Sequence, residues 1–327
     1  MEKIMIRDGA FRAEILPYGA TLHALYVPDG FGGVRDVVLG YDSVEEYRRH
    51  DGYLGATVGR NANRIAGAEF VLGGEVWHLS ANEGANQLHS GFSGLHQKVW
   101  SYEQTAENAV TLRTVSPHGE DGFPGTLHLS VTYTLAEGAL SIEYAAVCDR
   151  DTVVNLTNHA YFNLGSSSDI LDHQVTVCAD TITEVRDDLI PTGVDAPVDH
   201  LPCDLRKPTV IRDGLARNAE YPIMISAKGY DFNYPIPGEG LRLCATAYAA
   251  DTGRLMEVFT TEPCMQLYTG QYMDADGRGS VHYSAHGGFA METQHHPDAI
   301  HHPQFPSVIL KAGDTYETVT EYHFSVK

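Results

Sequence analysis

The feature that most constrains this chain is a two-residue periodicity. From Leu127 to Leu135 the apolar residues Leu127, Leu129, Val131, Tyr133 and Leu135 alternate with polar ones. A strand gathers such residues on one face, whereas a helix would scatter them around its axis. After Glu137-Gly138 the alternation resumes at Leu140, Ile142 and Tyr144, which predicts a β-hairpin. Phe70–Leu79, with Gly73-Gly74 at its centre, and Leu241–Thr260, turning at Asp251-Thr252-Gly253, predict two more. Tyr316, Thr318, Thr320, Tyr322 and Phe324 predict a last core strand. Helix signals are sparse. Ser43-Val44-Glu45-Glu46 matches a capping box and predicts a short helix to about His50. Asp187–Pro208, with four prolines, reads as a long surface loop. No low-complexity linker, glycine-rich phosphate loop or internal repeat divides the 327 residues. The expected architecture is all-β: one large antiparallel β-sandwich over residues 1–327, with few short helices.

Charge narrows the partners. With 43 acidic and 22 basic residues the net charge is −21, so phosphate backbones and acidic membranes are repelled and nucleic acid and membrane are not expected partners. Neutral small molecules fit better. The first residues, Met1–Phe11, lack the apolar core of a secretory signal, and no run approaches ~18 apolar residues. Five scattered cysteines form no Cys-x-x-Cys pair, which fits a reduced, cytoplasmic compartment. Monomer and homodimer both remain open.

Five polar segments interrupt the strand pattern. Gly55–Ile65 carries Arg60, Asn61, Asn63 and Arg64 beside glycines, which suits either a donor-presenting loop or a solvated one with Arg64 in a surface salt bridge. Asn86–Gly91 and Asn155–Asn163 each set a histidine, His89 or His159, among amides. Amides can hold an imidazole or a sugar hydroxyl, but a lone histidine is also a common structural residue. Lys228–Asn233 places Asp231 between Tyr230 and Phe232, a sugar-binding arrangement or an Asx-turn. Phe289–Gln294 buries Glu292 in an apolar run; desolvation there would raise its pKa toward general-base range, whereas on a solvent-facing edge it would not. His295–Pro303 contains four histidines, but they lack the one-face spacing of a helical zinc site, so a polar turn is expected and no metal.

Read together, these segments resemble the aldose 1-epimerases, or galactose mutarotases. The likeness runs through Tyr18–Leu22, Val37–Tyr41 with Glu46-Tyr47, Gly59–Ile65, Asn155–His159, Thr261–Gly270 and Met291–Asp298, almost the whole chain. It implies a galactose-mutarotase-type supersandwich and cofactor-free interconversion of the α and β anomers of a free aldose such as galactose or glucose. By position, Glu292 matches the family's general base and His159 its general acid. His89 matches a second active-site histidine, and Asn63, Arg64, Asp231 and Gln266 match substrate-binding positions.

The residue types suit that reaction. Opening a hemiacetal requires one group to take the C1 hydroxyl proton and another to protonate the ring oxygen, as Glu292 carboxylate and His159 imidazolium would. His89 and Arg64 can stabilise charge developing on the ring oxygen and carbonyl, while Asp231 anchors remote hydroxyls. Three departures from the family pattern surround the site: Ser90 where a glycine is usual, Phe232 where a histidine is common, and His301-His302 where asparagine or other polar residues are frequent. A glycoside hydrolase would need two opposed carboxylates and leave the histidines without a role. A hexose-6-phosphate mutarotase would need a basic cluster, and a non-catalytic sugar-binding module would need neither base nor acid.

Overall fold

The computed structural model describes residues 2–50, 52–217 and 221–327. Its largest element is a nine-stranded antiparallel sheet. The strands run in the order Ser101–Ala106, Ala109–Ser116, Leu127–Ala136, Ala139–Cys148, Thr315–Val326, Arg254–Thr260, Arg242–Ala249, Gln174–Val177 and Thr209–Val210. The alternation read from Leu127–Leu135 is the burial alternation of that strand. Ala136 pairs with Ala139, so Glu137 and Gly138 alone make the turn, and both have positive φ. That is the backbone of a type I′ hairpin, whose twist matches its strands. Gly73-Gly74 closes the hairpin of Glu69–Leu72 and Glu75–His78 in the same way. The last strand lies between Ala139–Cys148 and Arg254–Thr260, in the middle of the sheet.

Two four-stranded sheets pack against the large one. The N-terminal sheet, Ile4–Asp8, Phe11–Leu16, Thr21–Pro28 and Val34–Asp36, contributes Ile6, Ile15, Leu22 and Leu25 to a core shared with Val131, Leu135 and Ile142. The other orders Tyr161–Phe162, Phe289–Gln294, Cys264–Tyr268 and Asp231–Pro235. Phe232, Met265, Leu267, Phe289 and Met291 turn into the same core, and Tyr322 donates to the Met291 carbonyl at 3.2 Å. Because side chains alternate along a strand, Asp231, Gln266 and Glu292 face away from that core. Gln266 stands directly opposite Glu292 in the register.

The capping box is complete: Ser43 accepts from Glu46 N–H, and the Glu46 carboxylate accepts from Ser43 N–H, at the start of helix Val44–Arg49. The expectation of a loop across 187–208 fails in part, since Pro191–Pro197 is a strand paired with Thr181–Val185. Its two prolines stand at its ends, where a missing ladder donor is tolerated. His295–Pro303 is a turn, as expected, but two of its polar groups, His296 and Asp298, are turned inward. His296 is buried, stacks on Phe305 with centroids 4.0 Å apart, and lies between Cys264 Sγ at 3.1 Å and Asp195 at 3.2 Å. Buried Asp298 accepts from Ala66 N–H at 3.0 Å and contacts His301 Nδ1 at 2.6 Å.

Candidate active site

A cavity of about 510 Å³ opens on the outward face of the sheet that carries Glu292, and Asn63, Arg64, His89, His159, Asp231, Gln266 and Glu292 all line it. The chain brings together there residues separated by more than two hundred positions.

Each arrives by a specific device. Glu292 is fully enclosed at the centre of its strand. His159 follows the short strand Thr157–Asn158, whose pairing with Thr57–Val58 fixes its height. Asn158 secures that segment by donating to Gly55 O at 2.8 Å and to the Tyr133 hydroxyl at 3.2 Å. Tyr133 in turn donates to Ala20 O at 2.7 Å, so the strand that announced the fold also steadies the site. Arg64 and Leu88 pair between two short strands, which sets the loops carrying Asn63 and His89 side by side. Asn63 and His89 both have positive φ, as does Tyr53. Sparsely populated backbone conformations gather where surrounding contacts hold side chains for function.

His159 Nε2 lies 3.5 Å from Glu292 Oε1. Among the described residues, Glu292 Oε2 and His159 Nδ1 are buried without a hydrogen-bond partner, the condition of groups that await one. Burial shifts both members toward their neutral forms. It pushes the Glu292 carboxyl well above its usual range, with the charge of Asp231 adding to the rise and Arg64 opposing it. It lowers His159 to about 4. Burial therefore disfavours the charged form of each partner. The sequence reading assigned carboxylate and imidazolium; low-dielectric surroundings disfavour that charged pair until a ligand supplies hydrogen bonds.

His89 has a fixed tautomer. The Asn63 peptide N–H donates to its Nδ1 at 3.1 Å, so Nδ1 is unprotonated and the ring proton sits on Nε2. Burial first, then His159 and Arg64, hold its pKa well below normal, so His89 is a neutral donor. This bears on a metal. Nitrogen and oxygen atoms of His89, His159 and Glu292 lie within 4.8 Å of one another, and two imidazoles with a carboxylate are a plausible donor set by type. A metal on His89 Nε2 would require the proton to move to Nδ1, where a peptide N–H already points. The trio does not suit a cation.

Around the pair the walls are aromatic. Tyr53 lies 4.6 Å from His89, 4.7 Å from His96 and 5.8 Å from His159 between centroids, and Tyr161 lies 4.9 Å from His159. On the far wall Gln266 donates to Asp231 at 2.6 Å, leaving Asp231 a second oxygen. Burial raises the Asp231 carboxyl, while Arg64 and the Gln266 bond lower it. Arg64 does form a salt bridge, but not an open surface one. Its guanidinium is 12% exposed and grips Glu83 through Nε at 2.7 Å and Nη2 at 2.6 Å. Glu83, Tyr53, Tyr161 and Tyr268 are lining residues that the sequence reading did not select. Tyr161 lay within a quoted segment; nothing local marked Glu83 or Tyr53.

Ser90 occupies the position where the resemblance leads one to expect glycine, with φ of +66°. Its hydroxyl offsets the awkward backbone by accepting from Asn61 N–H at 2.6 Å and donating to Asn61 O at 3.1 Å.

The aldose 1-epimerase family model matches residues 2–323. The chain belongs to the aldose 1-epimerase family. It is 42% identical to the galactose mutarotase of Rattus norvegicus over 331 aligned positions, covering 100% of this chain and 94% of the relative. It is 34% identical to the aldose 1-epimerase of Escherichia coli, covering 95% and 91%. Among solved structures, an aldose epimerase homologue from C. elegans superposes with a TM-score of 0.93 at 31% identity, over 99% of both chains. A galactose 1-epimerase from Lactobacillus acidophilus gives 0.87 at 26% identity, over 99% of this chain and 94% of that one.

Proposed function

We propose that this family member is an isomerase that interconverts the α and β anomers of a free aldose, with galactose and glucose as the first substrates to test. The observation that carries the reading is the buried His159–Glu292 pair, 3.5 Å apart, at the base of a cavity lined by hydrogen-bonding groups. A pair holding one proton is at once an acid and a base.

In the proposed reaction Glu292 takes the proton of the C1 hydroxyl while His159 protonates the ring oxygen. The C1–ring oxygen bond breaks, giving the open aldehyde. Rotation about C1–C2 presents the other carbonyl face; as the ring closes, His159 takes back the proton of the attacking hydroxyl and Glu292 returns its proton to the carbonyl oxygen. The sugar itself prepares the pair. Its hydroxyls donate to Glu292 Oε2, which has no hydrogen-bond partner among the described residues, and Arg64 favours the carboxylate, so the proton passes from Glu292 to His159. The neutral Nε2–H of His89 donates to oxygen as negative charge develops there. Asp231, Gln266, Asn63 and Arg64 hold the remaining hydroxyls.

A neutral sugar fits better than a phosphorylated one. Glu83, Asp231, Asp274 and Glu292 line the cavity, and among the described residues Arg64 is the sole lysine or arginine that does so. A phosphate dianion would need the reverse balance. The five cysteines are all free, which supports a reduced, cytoplasmic setting, and no described helix is long and apolar enough to cross a membrane. We read residues 1–327 as one catalytic domain.

Polarimetry of freshly dissolved α-D-galactose and α-D-glucose in weak buffer tests the reading. The protein should hasten decay to the same final rotation. Decay at the blank rate for both sugars would overturn these substrates, and sugar binding without acceleration would favour a binding module.

A further inference from the structure

Glu83 is an acid of this site that neither the proton transfer nor the hydroxyl contacts above employ. It sits in a tight loop whose backbone is tied at both ends: Glu83 N–H donates to Asn86 O at 3.1 Å and Asn86 N–H to Glu83 O at 2.9 Å. Asn82 brackets Leu88, accepting from its N–H at 2.8 Å and donating to its carbonyl at 2.9 Å. Asn86 Oδ1 accepts from Gly67 N–H at 3.0 Å. The loop thus fixes Glu83 beside the strand that carries Arg64.

The two planar groups meet fork to fork, the geometry in which a carboxylate dictates guanidinium orientation as well as charge. The bond fills Nε and one Nη2 proton of Arg64, leaving the edge with Nη1 for another acceptor. Burial alone would weaken the Arg64 cation, and the bond and charge of Glu83, followed by the charges of Asp231 and Asp188, more than reverse that. The same carboxylate, 2.6 Å from Nη2, offsets part of the positive charge that Arg64 presents to the cavity.

We propose that Glu83 is a positioning and specificity-determining residue, which orients Arg64 for a neutral sugar and, by offsetting its charge, keeps anionic sugars out. The proposal rests on the anomer-exchange reading above and extends it to substrate choice. Without Glu83 the pocket gains an unpaired guanidinium, and a sugar bearing a carboxylate acquires a partner that the native site denies it.

The test compares galactose with galacturonate, its C6 carboxylate analogue, in wild type, Glu83→Gln and Glu83→Asp, by polarimetric kcat and KM. Glu83→Gln keeps size and removes charge. Its ratio of kcat/KM for galacturonate over galactose should rise about tenfold or more, the scale of one unit charge across a partly solvated pocket. Its KM for galactose should rise about fivefold, with kcat within about threefold of wild type, since the proton-transfer pair is untouched. Glu83→Asp keeps the charge but shortens the reach, so its galactose KM should rise while the ratio stays native. A merely structural role would not separate the two variants. An unchanged ratio in a Glu83→Gln protein that melts as a folded domain overturns the proposal. If wild type fails to accelerate galactose exchange, the functional reading falls instead; calorimetric titration of the same variants with the two sugars then decides the claim about Glu83 by affinity.

Discussion

Replacing Glu292 by Gln and His159 by Asn should expose two opposing pH dependences of stability that cancel in the wild type. Unfolded, glutamate and histidine titrate near 4.5 and 6.5; folded, Glu292 titrates well above its value and His159 at about 4. Just above pH 4.5 the unfolded pair binds one proton, on histidine, and the folded pair also binds one, on Glu292. Equal proton counts mean no slope from the pair. The raised Glu292 costs stability as pH rises from about 4.5, its unfolded value, until it ionises in the folded protein. Glu292→Gln removes this penalty. Relative to wild type it should gain about 1.4 kcal/mol per pH unit from about pH 4.5 upward, until Glu292 ionises in the folded protein. His159→Asn works in the other direction. A depressed histidine costs stability as pH falls from 6.5 to about 4, and the variant, freed of that cost, should gain about 3 kcal/mol over wild type across the window. Urea unfolding followed by tryptophan fluorescence between pH 4 and 9 reads both difference curves. Curves parallel to wild type throughout would refute the claim that burial, rather than mutual attraction, governs this pair.

The same proton count sets the rate profile. Exchange should weaken as pH falls through about 4, where His159 gains a second proton and no base remains, and again on the alkaline side where the raised Glu292 loses its proton; an acid limb near 6.5 would contradict this. Asp231→Ala should raise KM about tenfold or more, the value of a hydrogen bond to a charged group, and at least as clearly as it lowers kcat; an unchanged KM would mean the sugar lies elsewhere. Ser90→Ala keeps the positive φ and loses both hydroxyl bonds to Asn61, so unfolding should show a loss of about 1–3 kcal/mol, and Ser90→Gly should lose less because the strain goes with the bonds. Stability of Ser90→Ala equal to wild type would remove the role assigned to that hydroxyl.

What could be read from the chain, and what could not, follows the range of the interactions. The hairpins at Glu137-Gly138 and Gly73-Gly74 are local devices, in which alternation and turn chemistry agree. The capping box at Ser43 is equally local. The seven site residues became legible only through resemblance, because spacing alone left His89, His159 and Asp231 open to structural readings. Glu83 was invisible for a physical reason. It faces Arg64 across 19 positions of chain, and its function lies in a partner that no local pattern identifies. Tyr53 depends on a positive φ that its residue type disfavours and the sequence does not reveal. The strand at Pro191–Pro197 was hidden because two prolines look like loop until their place at its ends is known.

The most direct measurement is the turnover of Glu292→Gln in galactose exchange, followed by polarimetry beside wild type. Glutamine preserves shape and cannot accept the C1 proton, so kcat should fall about 100-fold or more in a protein that remains folded. Turnover close to wild type would contradict the assignment of Glu292 as the base and, with it, the account of this site.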